Sequence, residues 1–304
     1  MPRYSVILPT RNRADVVGFA IRSVLAQTDG DFELFVVGDG CTDGTAGIVE
    51  TFKDARVRWL DLAKAPHYGY ANRNVALRDA SGPFIAYIAH DDLLLPDHLE
   101  RLSRQLERER ADWIFSRPLW VSLDGTIVPY AVTLRHDDER QAYMAEGNPI
   151  PMSCVMHRRS VMATAGVWPE DVPRSADWAY WKNILNSGAR LASCRVPTTL
   201  HFVADWRRAT NLGQPEAMAL LELSAREPWW PAVHRRRIAA GGTEQASLYR
   251  WMTEDVTAVD ALRDAIDLVV DRLAWDRTCD LRDRRNARSL GQRLTNRVRR
   301  LVSG

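Results

Sequence analysis

The chain has 304 residues, 46% hydrophobic and 26% charged, a balance that excludes disordered and fibrous proteins and allows at least one substantial core. The formal net charge of +2 conceals an uneven layout, since eight arginines stand against one acid, Asp283, between Leu281 and Gly304. Cys41, Cys154, Cys194 and Cys279 lack the paired spacing of a zinc site or disulfide scaffold, no apolar run reaches the roughly 20 residues that span a bilayer, and the start MPRYSVILPT is too soon interrupted for a signal peptide, so the expected location is the cytoplasm.

Tyr4 to Pro9 is a short apolar run ending in proline, and Arg13 to Gln27 then carries Val16, Val17, Ala20, Ile21, Val24 and Leu25 at helical spacing. Phe32 to Val37 predicts a second strand, closed by the turn-rich Gly38 to Gly44, with a helix from Thr45 to Phe52. Arg56 to Leu60 predicts a third strand, Ala71 to Ala80 a helix, and Phe84 to Ala89 a fourth strand running into His90-Asp91-Asp92. Such alternation implies an α/β fold with a mostly parallel sheet whose faces are covered by helices. Ligands in such sheets bind beyond the carboxyl ends of the strands, so the loops after Pro9, Gly38 and Ala89 should share one cleft.

Beyond a charged helix, Leu99 to Arg110, the pattern turns mixed: Trp113 to Val121 and Thr126 to Val132 read as antiparallel strands around Asp124-Gly125. Past about residue 205 the strand signals fade, and Glu216 to Arg226 and Asp255 to Asp276 read as helices. The expected division is 1–205 as the main domain, in an alternating part, 1–110, and a mixed part, 111–205, with 206–304 as a helical extension with a basic tail.

His90-Asp91-Asp92 carries the sharpest chemical signal. Mg²⁺ and Mn²⁺ prefer carboxylate oxygens, keep several waters, and take further ligands from substrate phosphates, so one or two carboxylates at a strand end suit them. An aspartate pair before Leu-Leu-Leu-Pro equally suits a helix cap. Asp39 sits at a strand end but also within Gly38-Asp39-Gly40, where a turn role competes.

Taken together, Ser5-Val-Ile-Leu-Pro-Thr-Arg-Asn12, Ser23 to Thr28, Asp31 to Thr45, Arg73-Asn74, Ala80-Ser-Gly82 and the aspartate pair followed by Pro96 and Leu99 resemble the family 2 glycosyltransferases, in order over about the first two hundred residues. The resemblance implies an inverting enzyme with the GT-A fold, a mostly parallel mixed sheet flanked by helices around a Rossmann-like nucleotide-binding core. It implies that Pro9, Thr10 and Arg11 line the nucleotide base, that Asp39 hydrogen-bonds it, and that Arg73 lies close by. Asp91 matches the metal-binding member of a DXD-type motif with Asp92 beside it, and Mn²⁺ or Mg²⁺ is the implied cofactor. Ala89 and His90 stand where relatives carry acids; His90 can still donate to a ribose or diphosphate oxygen.

An inverting transfer also needs a base for the acceptor hydroxyl. Ser175-Ala-Asp177-Trp to Gly188 resembles the family's segment in which an acid opens a helix ending in glycine, which makes Asp177 the candidate, with Asp171 a weaker rival and Ala176 in place of a second acid. A plain helix cap is compatible with that role. His157, His201 and Asp205 are further candidates for the same cleft, although lone histidines are more often structural. Of the tryptophans, Trp113, Trp120, Trp168, Trp178, Trp181, Trp206, Trp229 and Trp230 could in part form an acceptor site; most are expected in the core.

Leu290, Leu294, Val298 and Leu301 recur beside Arg293, Arg297, Arg299 and Arg300, a pattern suited to an anionic membrane surface or to packing on the protein or a homodimer partner. The expected activity is transfer from a nucleotide sugar, UDP-linked by preference, to a polysaccharide, lipid-linked or natural-product acceptor, at the inner face of the membrane if the tail binds lipid. The competing reading is a degenerate nucleotide-sugar or nucleic-acid binding protein; a nucleotidyltransferase is disfavoured by the lack of a glycine-rich loop with its lysine.

Overall fold

The computed structural model describes residues 1–122, 125–130, 132–202, 236–240, 242–255 and 257–272. The first ninety residues form β1 (Tyr4–Thr10), α1 (Val17–Leu25), β2 (Phe32–Asp39), α2 (Thr45–Glu50), β3 (Val57–Leu62), α3 (Tyr70–Asp79) and β4 (Phe84–Tyr87), the order that the alternation predicts. A short β5 (Leu93–Leu94), α4 (His98–Arg108), β6 (Trp113–Ser116), β7 (Leu119–Val121), β8 (Ile127–Pro129) and α5 (Asp137–Ala145) follow. The chain continues through β9 (Val155–Arg158), α6 (Met162–Ala165), α7 (Ala176–Asn186), β10 (Leu191–Cys194) and β11 (Thr199–Phe202) to α8 (Glu244–Glu254) and α9 (258–272).

Seven strands make one sheet in the order β10-β6-β9-β4-β1-β2-β3, parallel except for β9, which runs antiparallel to β4 and β6. Every residue of β1 is buried, as expected for a central strand covered on both sides. Because side chains alternate, Val6, Leu8, Leu34 and Val36 face an aliphatic core with Ile21 and Val24 of α1 and Leu99, Leu102 and Leu106 of α4. Ile7, Phe35 and Tyr87 face the opposite core, where Trp113, Trp168, Tyr180 and Trp181 gather.

The run from Trp113 to Val121 is not one strand but two, in different sheets. Pro118 has no N–H to extend the β6 ladder, so the chain leaves the large sheet, and β7 joins β5, β11 and β8 in a four-stranded one. There β7 and β8 form the expected antiparallel pair, with Gly125 at φ +80° in the turn.

The helix expected from Asp255 spans 258–272 among the described residues, and α8 before it is a helix that the sequence reading missed. Leu248 and Met252 of α8 and Val259, Leu262, Ile266 and Val270 of α9 share one core with Leu93, Leu119, Val121, Leu200 and Phe202 of the small sheet. The expected helix at Glu216 to Arg226, the boundary near 205 and the basic tail lie outside the described residues.

Candidate active site

The carboxyl ends of β1, β2 and β4 open on one side of the sheet, as parallel pairing of β1 with both neighbours requires. Pro9 and Thr10 end β1 and are buried, and the Thr10 hydroxyl has no hydrogen-bond partner. Arg11 is exposed. Asn12 adopts φ +52°, and its side-chain carbonyl accepts the Thr42 N–H at 2.8 Å, tying the β1 loop to the β2 loop.

Asp39 ends β2 and is 5% exposed. Its Oδ1 accepts from the Ala65 N–H and from the Asn72 amide, both at 2.8 Å, and Lys64 Nζ lies 3.0 Å from Oδ2. The loop before α3 wraps this carboxylate so closely that a Cβ on Gly69, at φ +72°, would come within 2.5 Å of Asp39 Cγ. Only glycine fits there on both counts.

Arg73, in the first turns of α3, lies with its guanidinium carbon 5.0 Å from the Tyr70 ring centre and 4.9 Å from that of Trp168, and Nη1 donates to the Tyr68 carbonyl at 3.1 Å. Its Nε is buried without a partner. Burial lowers its pKa, opposed by the charges of Asp177 and Asp39 among others. One cation thus sits in the field of both the β2 carboxylate and the α7 carboxylate.

After β4 the chain delivers three polar residues with different fates. His90 has its pKa lowered by burial, against the pull of Asp91, and its Nδ1 has no partner; it is neutral at physiological pH, with Arg13 and Arg73 both in its electrostatic surroundings. Asp91 is 8% exposed, its Oδ2 is 3.4 Å from Arg13 Nη1, and its backbone carbonyl accepts from Gln245 Nε2 at 3.1 Å. Asp92 is fully buried and accepts from the Ser153 hydroxyl, from His201 Nδ1 at 2.9 Å and from the Phe202 N–H at 3.0 Å. A carboxylate only accepts, so His201 Nδ1 carries the proton.

Asp177 is the second residue of α7, whose N-cap, Ser175, adopts φ +56° and makes no side-chain cap. Burial raises the Asp177 pKa, opposed by the Trp178 N–H, Arg73 and the Asn148 amide, the last donating to Oδ2 at 3.0 Å. A carboxylate whose proton affinity is raised is a better base than an exposed aspartate.

Other candidates separate. His157 is fully buried in β9 between the Tyr87 hydroxyl and the Arg158 carbonyl, both at 2.8 Å, with its pKa pushed down to about 4 by burial; it belongs to the aromatic core. His201 reaches the cleft region through Asp92 and lies edge-on to Trp120. Asp171 is exposed, and Asp205, Trp206, Trp229 and Trp230 lie outside the described residues. Trp113, Trp168 and Trp181 are core residues. Sequence reasoning missed Arg13, Asn148, Ser153 and Gln245, which come to the site from distant segments; for Gln245 the one local signal was Thr243, whose side chain caps α8 by accepting from the Ala246 N–H.

Among the described residues no group of three or more His, Cys, Asp or Glu could hold a metal alone. The donor set still fits a hard divalent cation, which needs one or two protein carboxylates when substrate phosphates and water complete its shell. Asp91 offers such a carboxylate beside the unpartnered His90 Nδ1.

A mixed seven-stranded sheet flanked by helices, which also matches solved glycosyltransferase structures, is a fold of the GT-A class. Residues 5–162, just over half of the chain, match the model of Glycosyl transferase family 2, and the chain belongs to that family. A putative teichuronic acid biosynthesis glycosyltransferase of Bacillus subtilis is 28% identical over 62% of this chain and 73% of its own length. An Escherichia coli UDP-Glc:alpha-D-GlcNAc-diphosphoundecaprenol beta-1,3-glucosyltransferase is 38% identical over 32% of this chain and 38% of its own. An uncharacterized glycosyltransferase of Rickettsia felis is 26% identical over 62% of this chain but only 31% of its own length. The chain therefore spans a third or so of some of these curated relatives.

Among solved structures, S. aureus TarS 1-349 in complex with UDP-GlcNAc superposes with a TM-score of 0.56 at 20% identity, over 67% of this chain and 59% of that one. The mannosyltransferase PcManGT of Pyrobaculum calidifontis, in complex with GDP-Man and Mn²⁺, gives 0.53 at 17% over 91% and 75%. Both likenesses concern the fold. No helix among the described residues is long and apolar enough to cross a membrane.

Proposed function

We propose that this chain is an inverting glycosyltransferase that takes a sugar from a UDP-sugar. The observation that carries this reading is the shared position of Arg73, within the electrostatic reach of Asp39 at the base end and of Asp177 at the reaction end. A donor held at the carboxyl ends of the strands would place its base by Pro9, Thr10, Arg11 and Asp39 and its diphosphate by Arg73 and neutral His90. The unpartnered Thr10 hydroxyl, Arg73 Nε and His90 Nδ1 support this, because buried polar atoms without partners are costly unless a ligand satisfies them.

Asp177 removes the proton from the acceptor hydroxyl as that oxygen attacks the anomeric carbon from the face opposite the diphosphate. The new glycosidic bond forms as the old one breaks, its electron pair leaving with the nucleoside diphosphate, and the configuration inverts. Asn148 and the Trp178 N–H hold the carboxylate in place. A Mn²⁺ or Mg²⁺ at Asp91, when bound, supplies positive charge to the leaving diphosphate. Asp92 serves as an internal anchor rather than a metal ligand, since its oxygens already accept from Ser153, His201 and Phe202.

A lipid-linked or polysaccharide acceptor is the class that the names of these relatives suggest. Residues 1–205 form the transferase unit in this reading, with the C-terminal helices as its extension. The test is a thermal-shift screen of nucleotide sugars followed by donor turnover with and without Mn²⁺. UDP-sugars should raise the melting temperature and be turned over only with metal; absence of both effects overturns the proposal.

A further inference from the structure

We propose that Gln245, in the first turn of α8, is a positioning residue that holds the peptide at Asp91 and so sets the metal affinity of the site. This rests on the reading of Asp91 as the metal contact. Gln245 is 1% exposed, and its Nε2 donates to the Asp91 carbonyl at 3.1 Å across 154 positions of sequence. The helix cannot shift freely to relax that bond: Leu248 and Met252, one and two turns further on, are buried against the small sheet, and Thr243 fixes the helix start.

The residue after Asp91 is clamped as well, by Ser153, His201 and Phe202 on the Asp92 carboxylate. The Asp91–Asp92 unit is thus pinned at two points, and of the residues that pin it only Ser153 lies within the segment that matches the family model. Gln245 Oε1 is buried with no partner. An apolar side chain would fill the same space without that cost, which argues that the amide is present for its donor. A group fixing the backbone of a ligand restricts where its carboxylate can lie, and losing such outer-shell support typically weakens metal binding by about 10–100-fold.

The experiment is calorimetric titration of UDP into the full chain at a series of Mn²⁺ concentrations, with no acceptor and no turnover. Gln245→Met keeps length and volume but removes the donor; the Mn²⁺ concentration giving half-maximal enhancement of UDP binding should rise about tenfold, while UDP binding without metal is unchanged. Gln245→Asn, whose amide falls short, should do the same if the Met variant does not fold. Leu248→Ala loosens α8 without touching the amide, and should lower the melting temperature yet leave the Mn²⁺ dependence alone. Unchanged Mn²⁺ dependence in both Gln245 variants, or an equal shift in Leu248→Ala, overturns the inference. Asp91→Asn is measured in parallel: if its Mn²⁺ enhancement persists, or if the parent chain shows none, it is the assignment of Asp91 that fails.

Discussion

The two faces of the seven-stranded sheet are built from different materials. One is aliphatic, with Val6, Leu8, Leu34 and Val36 packed against Ile21, Val24, Leu102 and Leu106. The other holds Tyr87, Trp113, Trp168, Tyr180 and Trp181, with rings as close as 5.3 Å between centres, and carries Arg73 and Asp177 at its edge. Aliphatic packing has no polar atoms to satisfy and supplies only cohesion. Aromatic packing is cohesive too, but it presents ring faces to a cation, as Tyr70 and Trp168 do to Arg73, and excludes water around a carboxylate. The difference teaches that the same sheet keeps a purely aliphatic face apart from one that carries the candidate base, and that Asp177 owes its raised proton affinity to burial on the aromatic side.

The sharpest test of that division is Asp177→Asn. Loss of the base should lower transfer about 10³-fold, in line with general-base contributions, while UDP binding by calorimetry stays near that of the parent; near-normal turnover would remove Asp177 from the mechanism. On the other face, Ile21→Ala should cost about 3 kcal/mol of stability in urea melts with the donor KM of the folded protein unchanged. A changed KM would mean that the aliphatic face also shapes the site.

The faces should agree in acid. His98, at the start of α4, and His157, on the aromatic side, both have pKa values pushed down to about 4 by burial. The unfolded chain binds their protons below the ordinary value of 6.5, so their stability contribution is whole above that pH and is lost as pH falls toward 4, on the order of 3 kcal/mol for each. His157→Gln should remove about half of this acid-side loss, read as melting temperature against pH; no change would place the acid sensitivity elsewhere.

The smallest expected effect has the opposite sign. The folded protein holds the Asp177 proton more tightly than the unfolded chain does, so stability falls as pH rises through the window between the ordinary aspartate value and the raised one, and the cost persists above it. Asp177→Asn should therefore melt a few degrees higher than the parent at pH 7.5. A lower melting point would show that the carboxylate earns its place structurally.

The alternation from Tyr4 to Ala89 was legible because each buried strand and each amphipathic helix writes its own period into adjacent residues. As candidates, Asp39, Asp91 and Asp177 stand out in the sequence through motifs that resemble the family's. What escaped depends on residues far apart. The run Trp113 to Val121 is apolar enough to read as one strand, and only the missing N–H of Pro118 splits it. Asp92 looks like the twin of Asp91 in sequence; its saturation by Ser153, His201 and Phe202, 61 to 110 positions away, has no local signature. Gln245 is hidden for the same reason.

Gly69 sets a limit on redesign. Its missing side chain is what allows the loop before α3 to close over Asp39, so the end of β2 and that loop constrain each other. A larger residue at Asp39 would collide with that backbone, and any side chain at Gly69 would push the carboxylate out of place. The loop from Ala63 to Gly69 and the end of β2 would have to be exchanged as one cassette.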